Sequence, residues 1–198
     1  NFGDGSTSTE QNPSHIYTTP GLYDVTLKAT DNVGQTNTLT KSDYISANYD
    51  GPVWYVSNDG SDNGYNAGSQ SSPLLYINTA AVKAANGDTI LISPGYYSSV
   101  SLSGRDSLFI ASIHYENIDS TKIASTIIKD FSLSYNEKDN IFFGLTFTDS
   151  SGVAVNLEAN KEYSNTVTFK YCHFVNSQQG ISTMGTNLIL ENCLINNN

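Results

Sequence analysis

An all-β chain is predicted by a repeat, by composition and by the scarcity of helical periodicity. Residues 142–149, 169–176 and 190–197 read in register, with Leu145, Cys172 and Cys193 at equivalent positions 27 and 21 residues apart. Each copy alternates apolar residues after a bend and closes on Asp149, Asn176 or Asn197. Periods in the twenties with two-residue alternation indicate strands coiled into a solenoid, that is, a parallel β-helix. Charged residues are only 14% of the chain, and turn formers and tyrosine abound, as expected of short strands and tight turns. One segment alone has helical spacing.

The elements follow in order. Tyr23, Val25, Leu27 and Ala29 alternate with polar residues, the pattern of a half-buried strand. Asp4-Gly5, Pro20-Gly21 and Asp31-Asn32-Val33-Gly34 are turn signals. Residues 36–40 and 43–45 supply further strand. Together, Asn1-Phe2-Gly3-Asp4-Gly5, Asn12-Pro13-Ser14-His15-Ile16-Tyr17 and Pro20-Gly21-Leu22-Tyr23-Asp24-Val25-Thr26-Leu27 resemble the PKD domain. The resemblance implies a truncated immunoglobulin-like β-sandwich over 1–49, with open edges where its earlier strands would pair. His15 is then a turn residue and not a ligand.

Residues 50–53, with Gly51-Pro52, read as a linker. Residues 54–57 are a strand, 58–72 a Gly/Asn/Ser loop, and 73–86 a helix. That helix has Ile77, Ala80, Ala81, Ala84 and Ala85 on one face and Gly87 as its C-terminal cap. Strands are expected at 88–92, 100–102, 108–110 and 126–128. Trp54-Tyr55-Val56-Ser57-Asn58-Asp59-Gly60, Ser72-Pro73-Leu74-Leu75-Tyr76-Ile77, Gly87-Asp88-Thr89-Ile90 and Pro94-Gly95-Tyr96-Tyr97 are similar to the opening of right-handed parallel β-helix proteins of the pectate-lyase-like superfamily. The resemblance implies an incomplete β-helix over 54–198, capped by a helix near 76–86. Inward columns follow from the repeat: Phe142/Phe169/Leu190, Leu145/Cys172/Cys193 and Phe147/Phe174/Ile195. Asp149/Asn176/Asn197 forms a candidate amide ladder. Lys170 and Glu191 face outward as a candidate pair. His173 is expected to face solvent, in the column of Thr146 and Leu194.

The net charge is −10 and no basic stripe exists, which excludes a nucleic-acid binder. No apolar run reaches the ~18 residues of a membrane span. The chain opens inside one motif and stops inside a repeat, so a fragment of a longer extracellular or cell-surface protein is expected. Asp59, Ser61 and Asn63 have the alternation of the first half of a Ca²⁺ loop. Gln70 stands where the closing Glu would fall, and the same side chains can serve their own backbone. A tight Ca²⁺ site is therefore not expected. Cys172 and Cys193 stack roughly 4.8 Å apart, either as an inward thiol ladder or within disulfide range. No Ser-His-Asp set is visible, and Arg105-Asp106, Lys129-Asp130 and Lys138-Asp139 read as separate turn charges. Tyr65, Tyr96, Tyr97, Tyr115, Tyr135 and Tyr163 sit in or near loops, where they either stack on sugars or pack the coil ends. Two functions follow. The first is a non-catalytic carbohydrate-facing scaffold, with a polysaccharide or surface glycan as partner. The second is a polysaccharide lyase or glycoside hydrolase whose catalytic rungs lie beyond residue 198.

Overall fold

A computed structural model describes residues 1–48, 50–65, 67–103, 106–117, 120–134, 139–150, 152–158 and 165–196. Arg105, Lys138, Tyr135, Tyr163 and Asn197 lie outside the described residues. The chain is mostly β and divides into two compact units, Asn1–Tyr49 with Asn63–Ala67, and Asp50–Asp62 with Gly68–Asn198.

In the first unit, β1 (Gly21–Thr30) pairs antiparallel with β2 (Thr36–Ala47). The two strand segments expected at 36–45 are one continuous strand. Its register shifts opposite Tyr23/Val25, where the Asp43 N–H donates to the Asp24 carboxylate at 2.8 Å. Among the described residues this unit has one two-stranded sheet with no second layer against it, the open state expected of a truncated sandwich. The expected burial holds for Tyr23 and Val25 and fails beyond them. Leu27 and Leu39, paired across the strands, are 65% and 58% exposed because nothing covers that face. Aromatic packing compensates at the other end. Phe2 stacks on His15 at 4.3 Å, Tyr17 meets His15 edge-on, and the Tyr17 hydroxyl donates to the Phe2 carbonyl.

The second unit opens with β3 (Val53–Val56) and α1 (Ile77–Lys83). The chain then makes passes of three short strands. These are β4 (Thr89–Ile92), β5 (Gly95–Ser98) and β6 (Ser101–Ser103), then β7 (Phe109–Ser112), α2 (Ser120–Ile123), β8 (Thr126–Lys129) and β9 (Phe131–Ser134). They continue with β10 (Asn140–Phe143), β11 (Thr146–Thr148) and β12 (Val153–Glu158), then β13 (Asn165–Lys170), β14 (His173–Val175) and β15 (Gln179–Met184). A last pass begins with β16 (Thr186–Glu191) and β17 (Leu194–Asn196). Every strand pairs in parallel with its equivalent one pass away. Three sheets result, of order β16-β13-β10-β7-β4-β3, β17-β14-β11-β8-β5 and β15-β12-β9-β6.

The register is the one the repeat predicts. Phe142 pairs with Phe169 and Phe169 with Leu190, while Phe147 pairs with Phe174 and Phe174 with Ile195. The bend between first and second sheet is left-handed at Gly144, Tyr171 and Asn192 (φ 66°, 52° and 54°), so the corner itself stacks. Phe142 lies flat on Phe169 at 4.9 Å and Phe147 on Phe174 at 5.5 Å, and Phe131 meets both Phe142 and Phe147 edge-on. All five rings are fully buried. Each contributes roughly 1.5–3 kcal/mol by burial, and each good ring pair adds ~1 kcal/mol.

Among the described residues, Asp149 and Asn176 do not form the expected ladder. Asp149 is buried and its N–H donates to the Ser177 hydroxyl, while Asn176 is an exposed left-handed bend residue. The buried amides are instead Asn140, which accepts from the Leu108 N–H at 2.8 Å, and Asn165.

The helix is shorter than predicted. It ends at Lys83 because Ala84 turns extended (ψ 141°). Asp88 explains the stop: its carboxylate accepts from the Ala85 N–H at 2.8 Å and the Trp54 indole at 2.9 Å. Ala85 is therefore exposed, Ala84 is the cap, and Gly87 belongs to the following turn. Ile77, Ala80, Ala81 and Ala84 are buried as expected. At the start of α1 the Asp62 carboxylate accepts from the Leu75 and Tyr76 N–H groups and from the Thr79 hydroxyl. It ties the residues that lead into the helix to the Thr79 side chain in its first turn, while Tyr76, at the N-cap, makes no side-chain capping bond. Trp54 is 1% exposed. Gly68 (φ 108°) lies against it, and a β-carbon there would fall 2.5 Å from the indole.

Trp54 is the chain's one tryptophan and its fluorescence reports on this unit. Phe147→Ala is expected to lower the urea-unfolding free energy by about 3–5 kcal/mol. Lys170→Ala, on the exposed 2.9 Å pair with Glu191, should change it by no more than about 1 kcal/mol. Comparable losses in the two variants would contradict the assigned core.

Candidate functional site

Alternation sends every second side chain of β5, β8, β11, β14 and β17 outward. Parallel register lines these up in two columns, Tyr96/Ile127/Thr146/His173/Leu194 and Ser98/Lys129/Thr148/Val175/Asn196. A groove of about 310 Å³ lies over them, lined by Tyr96, Lys129, Thr148, Ser150 and Asn176 among others. Tyr96 is 53% exposed on it. Lys129 stands in the middle, 4.0 Å from Asp130. Thr146 is buried, its hydroxyl donating to the Ile123 carbonyl at the end of α2. The arrangement offers an aromatic face, a cation, hydroxyls and an amide along one line.

Several sequence expectations change here. Lys129 is a strand residue and not a turn charge, and only the following Asp130 occupies the bend (φ 54°). Tyr96 and Tyr97 lie in a strand. Tyr97 points inward, its hydroxyl donating to the Ser93 carbonyl at 3.0 Å, and burial pushes its phenol up to about 12. His173 joins the outer column as expected but is half-buried, which lowers its pKa. Tyr115 packs against Phe109 and Phe143, and Tyr65 is exposed. Of the strands that build this face, β5 was not expected from the sequence. Pro94-Gly95 masks its start, although the alternation of Tyr96, Tyr97 and Ser98 carries the signal.

A Ser/His/Asp cluster does exist in the first unit. His15 Nε2 meets the Asp4 carboxylate at 2.7 Å and the Ser6 hydroxyl at 3.3 Å. Both partners share one ring nitrogen, so no proton relay through the imidazole is possible. The cluster ties a turn. The Ser6 hydroxyl and N–H, followed by His15, hold Asp4 well below the usual carboxylate range.

Asp59 and Ser61 belong to the second unit and Asn63 to the first. The Asp59 N–H donates to the Ser57 hydroxyl, and the Ser61 N–H to the Pro73 carbonyl. Asp62, beside them, is committed to α1. Among the described residues no group of three or more His, Cys, Asp or Glu could hold a metal ion. Cys172 and Cys193 are free thiols. Burial pushes the Cys172 thiol up, and a hydrogen bond from Cys172 holds Cys193 down.

Among the described residues no helix is long and apolar enough to cross a membrane. The family model described as PKD domain matches residues 1–47. A protein named microbial collagenase, from Vibrio alginolyticus, is 52% identical over 46 residues, 23% of this chain. The chain covers 6% of that relative's length. No solved structure matches.

Two measurements test these assignments. Calorimetric titration with Ca²⁺ is expected to show no micromolar site, whereas micromolar binding lost in Asp59→Ala would assign the ion to this loop. Thiol titration of the unfolded, unreduced protein should give two thiols per chain, and none would establish a Cys172–Cys193 disulfide.

Proposed function

We propose that residues 54–198 are the capped N-terminal part of a right-handed parallel β-helix whose outer face binds a polysaccharide. Residues 1–49 act as a partial PKD-like β-sandwich, a spacer or adhesion module joined through 50–53. The whole is a piece of a secreted or cell-surface protein with an adhesive or structural role. The PKD-domain match over 1–47 supports the extracellular setting. The similarity of the 53–97 region to pectate-lyase-like proteins supports the coil.

The observation that carries the binding reading is the groove. Tyr96, Lys129, Thr148 and Asn176 open onto one sheet face, and successive strands repeat every ~4.8 Å. A linear glycan running across such a face meets a new pair of side chains at each step, among them the Tyr96 ring, the Lys129 ammonium and the Thr148 hydroxyl. An amphipathic ring such as Tyr96 offers both an apolar surface and a hydroxyl to a sugar. The charge pattern narrows the partner. The chain carries −10, which repels a dense polyanion, and the two columns present one lysine and no carboxylate. Neutral or sparsely acidic glycans fit best. A lyase needs acidic or metal-held neutralisation of uronates beside its base, so these columns favour binding over cleavage.

Affinity electrophoresis through gels of xylan, β-glucan, galactomannan, pectin and alginate tests this. At least one polymer should retard the protein, and Tyr96→Ala should weaken that retention about tenfold, equivalent to ~1.4 kcal/mol. Retention by none of them, or retention unchanged in both Tyr96→Ala and Lys129→Ala, would remove the groove from consideration. Release of unsaturated uronate from pectin or alginate would favour the lyase reading instead.

A further inference from the structure

A second cavity, of about 130 Å³, adjoins the groove and is lined by Tyr96, Tyr76, Asn58, Asn78 and Ser98 over an apolar floor of Ile77, Tyr97 and Val100. Tyr96 lines both spaces. We infer that this cavity receives the terminal, uncharged sugar residue of the glycan lying in the groove. The inference rests on the glycan-binding reading and gives the groove a closed end.

Four observations carry it. First, size: the cavity is well under the roughly 300 Å³ of sites that enclose drug-sized ligands, so it suits a single ring and not a polymer passing through. Second, position: Ile77 and Asn78 belong to α1, which therefore bounds the cavity on one side, while Tyr96 borders the groove on the other. A chain running along β8 and β5 stops there. Third, chemistry: Tyr76 and Tyr96 are 59% and 53% exposed, and no lining residue carries a charge. Aromatic faces, amides and hydroxyls match the apolar faces and hydroxyl edge of a neutral pyranose. A uronate carboxylate would find no cation.

Fourth, the cavity is held in shape without a ligand. The Asn78 amide donates to the Ser99 carbonyl at 3.2 Å and accepts from the Ser101 N–H at 3.1 Å, pinning α1 to the left-handed bend at Ser99 (φ 56°). Asp62 holds the backbone of Leu75 and Tyr76. Tyr76 therefore projects from backbone that is fixed before binding, and Tyr96 from β5, paired with β8, which reduces the ordering cost of association.

The test uses the 198-residue chain with neutral trisaccharides (xylotriose, cellotriose, mannotriose) and trigalacturonate, read by saturation-transfer NMR and calorimetry. Tyr76 is exposed and makes no side-chain capping bond, so Tyr76→Ala should fold, and Tyr76→Phe keeps the ring. The expected result is binding of at least one neutral trisaccharide, weakened tenfold or more in Tyr76→Ala and less than threefold in Tyr76→Phe. Trisaccharide binding indifferent to Tyr76→Ala but lost in Lys129→Ala would overturn the end pocket while leaving the groove in place. Binding of trigalacturonate alone would overturn the neutral-sugar assignment. Failure of every trisaccharide and every parent polymer would overturn both.

Discussion

In-register parallel pairing between strands one pass apart is the constraint on which the second unit depends. Once Phe142 pairs with Phe169 and Phe147 with Phe174, the side-chain period of two leaves no freedom. Inward positions stack as rings and aliphatics, and outward positions stack as columns. A slip of one residue would bury Lys170 and expose Phe169. The flat Phe142/Phe169 and Phe147/Phe174 contacts, with Phe131 edge-on between passes, make that slip costly. The same pairing that forms the core therefore builds the groove, because Tyr96, Lys129 and Thr148 are simply the opposite faces of the strands that carry Tyr97, Ile128 and Phe147.

The first strand of such a stack has an edge and a core end that pairing alone cannot satisfy. Here the solution is local and polar as much as apolar. Trp54 fills the end of the core, Asp88 joins its indole to the chain after α1, and Asp62 joins the loop before α1 to its first turn. Two carboxylates thereby set where the helix begins and stops. Asp62 also holds the Tyr76 backbone, and Asn78, pinned to Ser99 and Ser101, borders the same end of the groove. Stability at the capped end and shape at the binding face are consequences of the same few hydrogen bonds.

The first unit shows the opposite balance. Its turn is dense in contacts, with Asp4, Ser6 and His15 joined and Phe2, His15, Tyr17 and Tyr23 in ring contact. Its sheet is nearly bare, with Leu27 and Leu39 uncovered. Sequence alternation names a buried face, but burial requires a partner layer, and the described strands of this unit form only one sheet.

Much of the fold was legible in the sequence. The repeat strands, the register of the three aromatic and aliphatic columns, the bend at Gly144/Tyr171/Asn192 and the small-residue face of α1 followed from periodicity, because each is a local consequence of side-chain spacing, whereas β5, β9, β12 and β15 did not. The misses have a common cause. Gly87 looked like the helix cap until Asp88, held by Trp54, drew Ala85 out of the helix. Asp149 and Asn176 looked like a ladder, yet one is buried against Ser177 and the other is an exposed bend. Lys129 looked like a turn charge because its pairing with Ser98 and Thr148 links residues far apart in the chain. The sequence by itself determined the period, the all-β character and the inward columns, since these depend on neighbours within one repeat. Only the tertiary structure decided which outward residues share a face and where that face ends, since those are set by contacts between passes that no local pattern records.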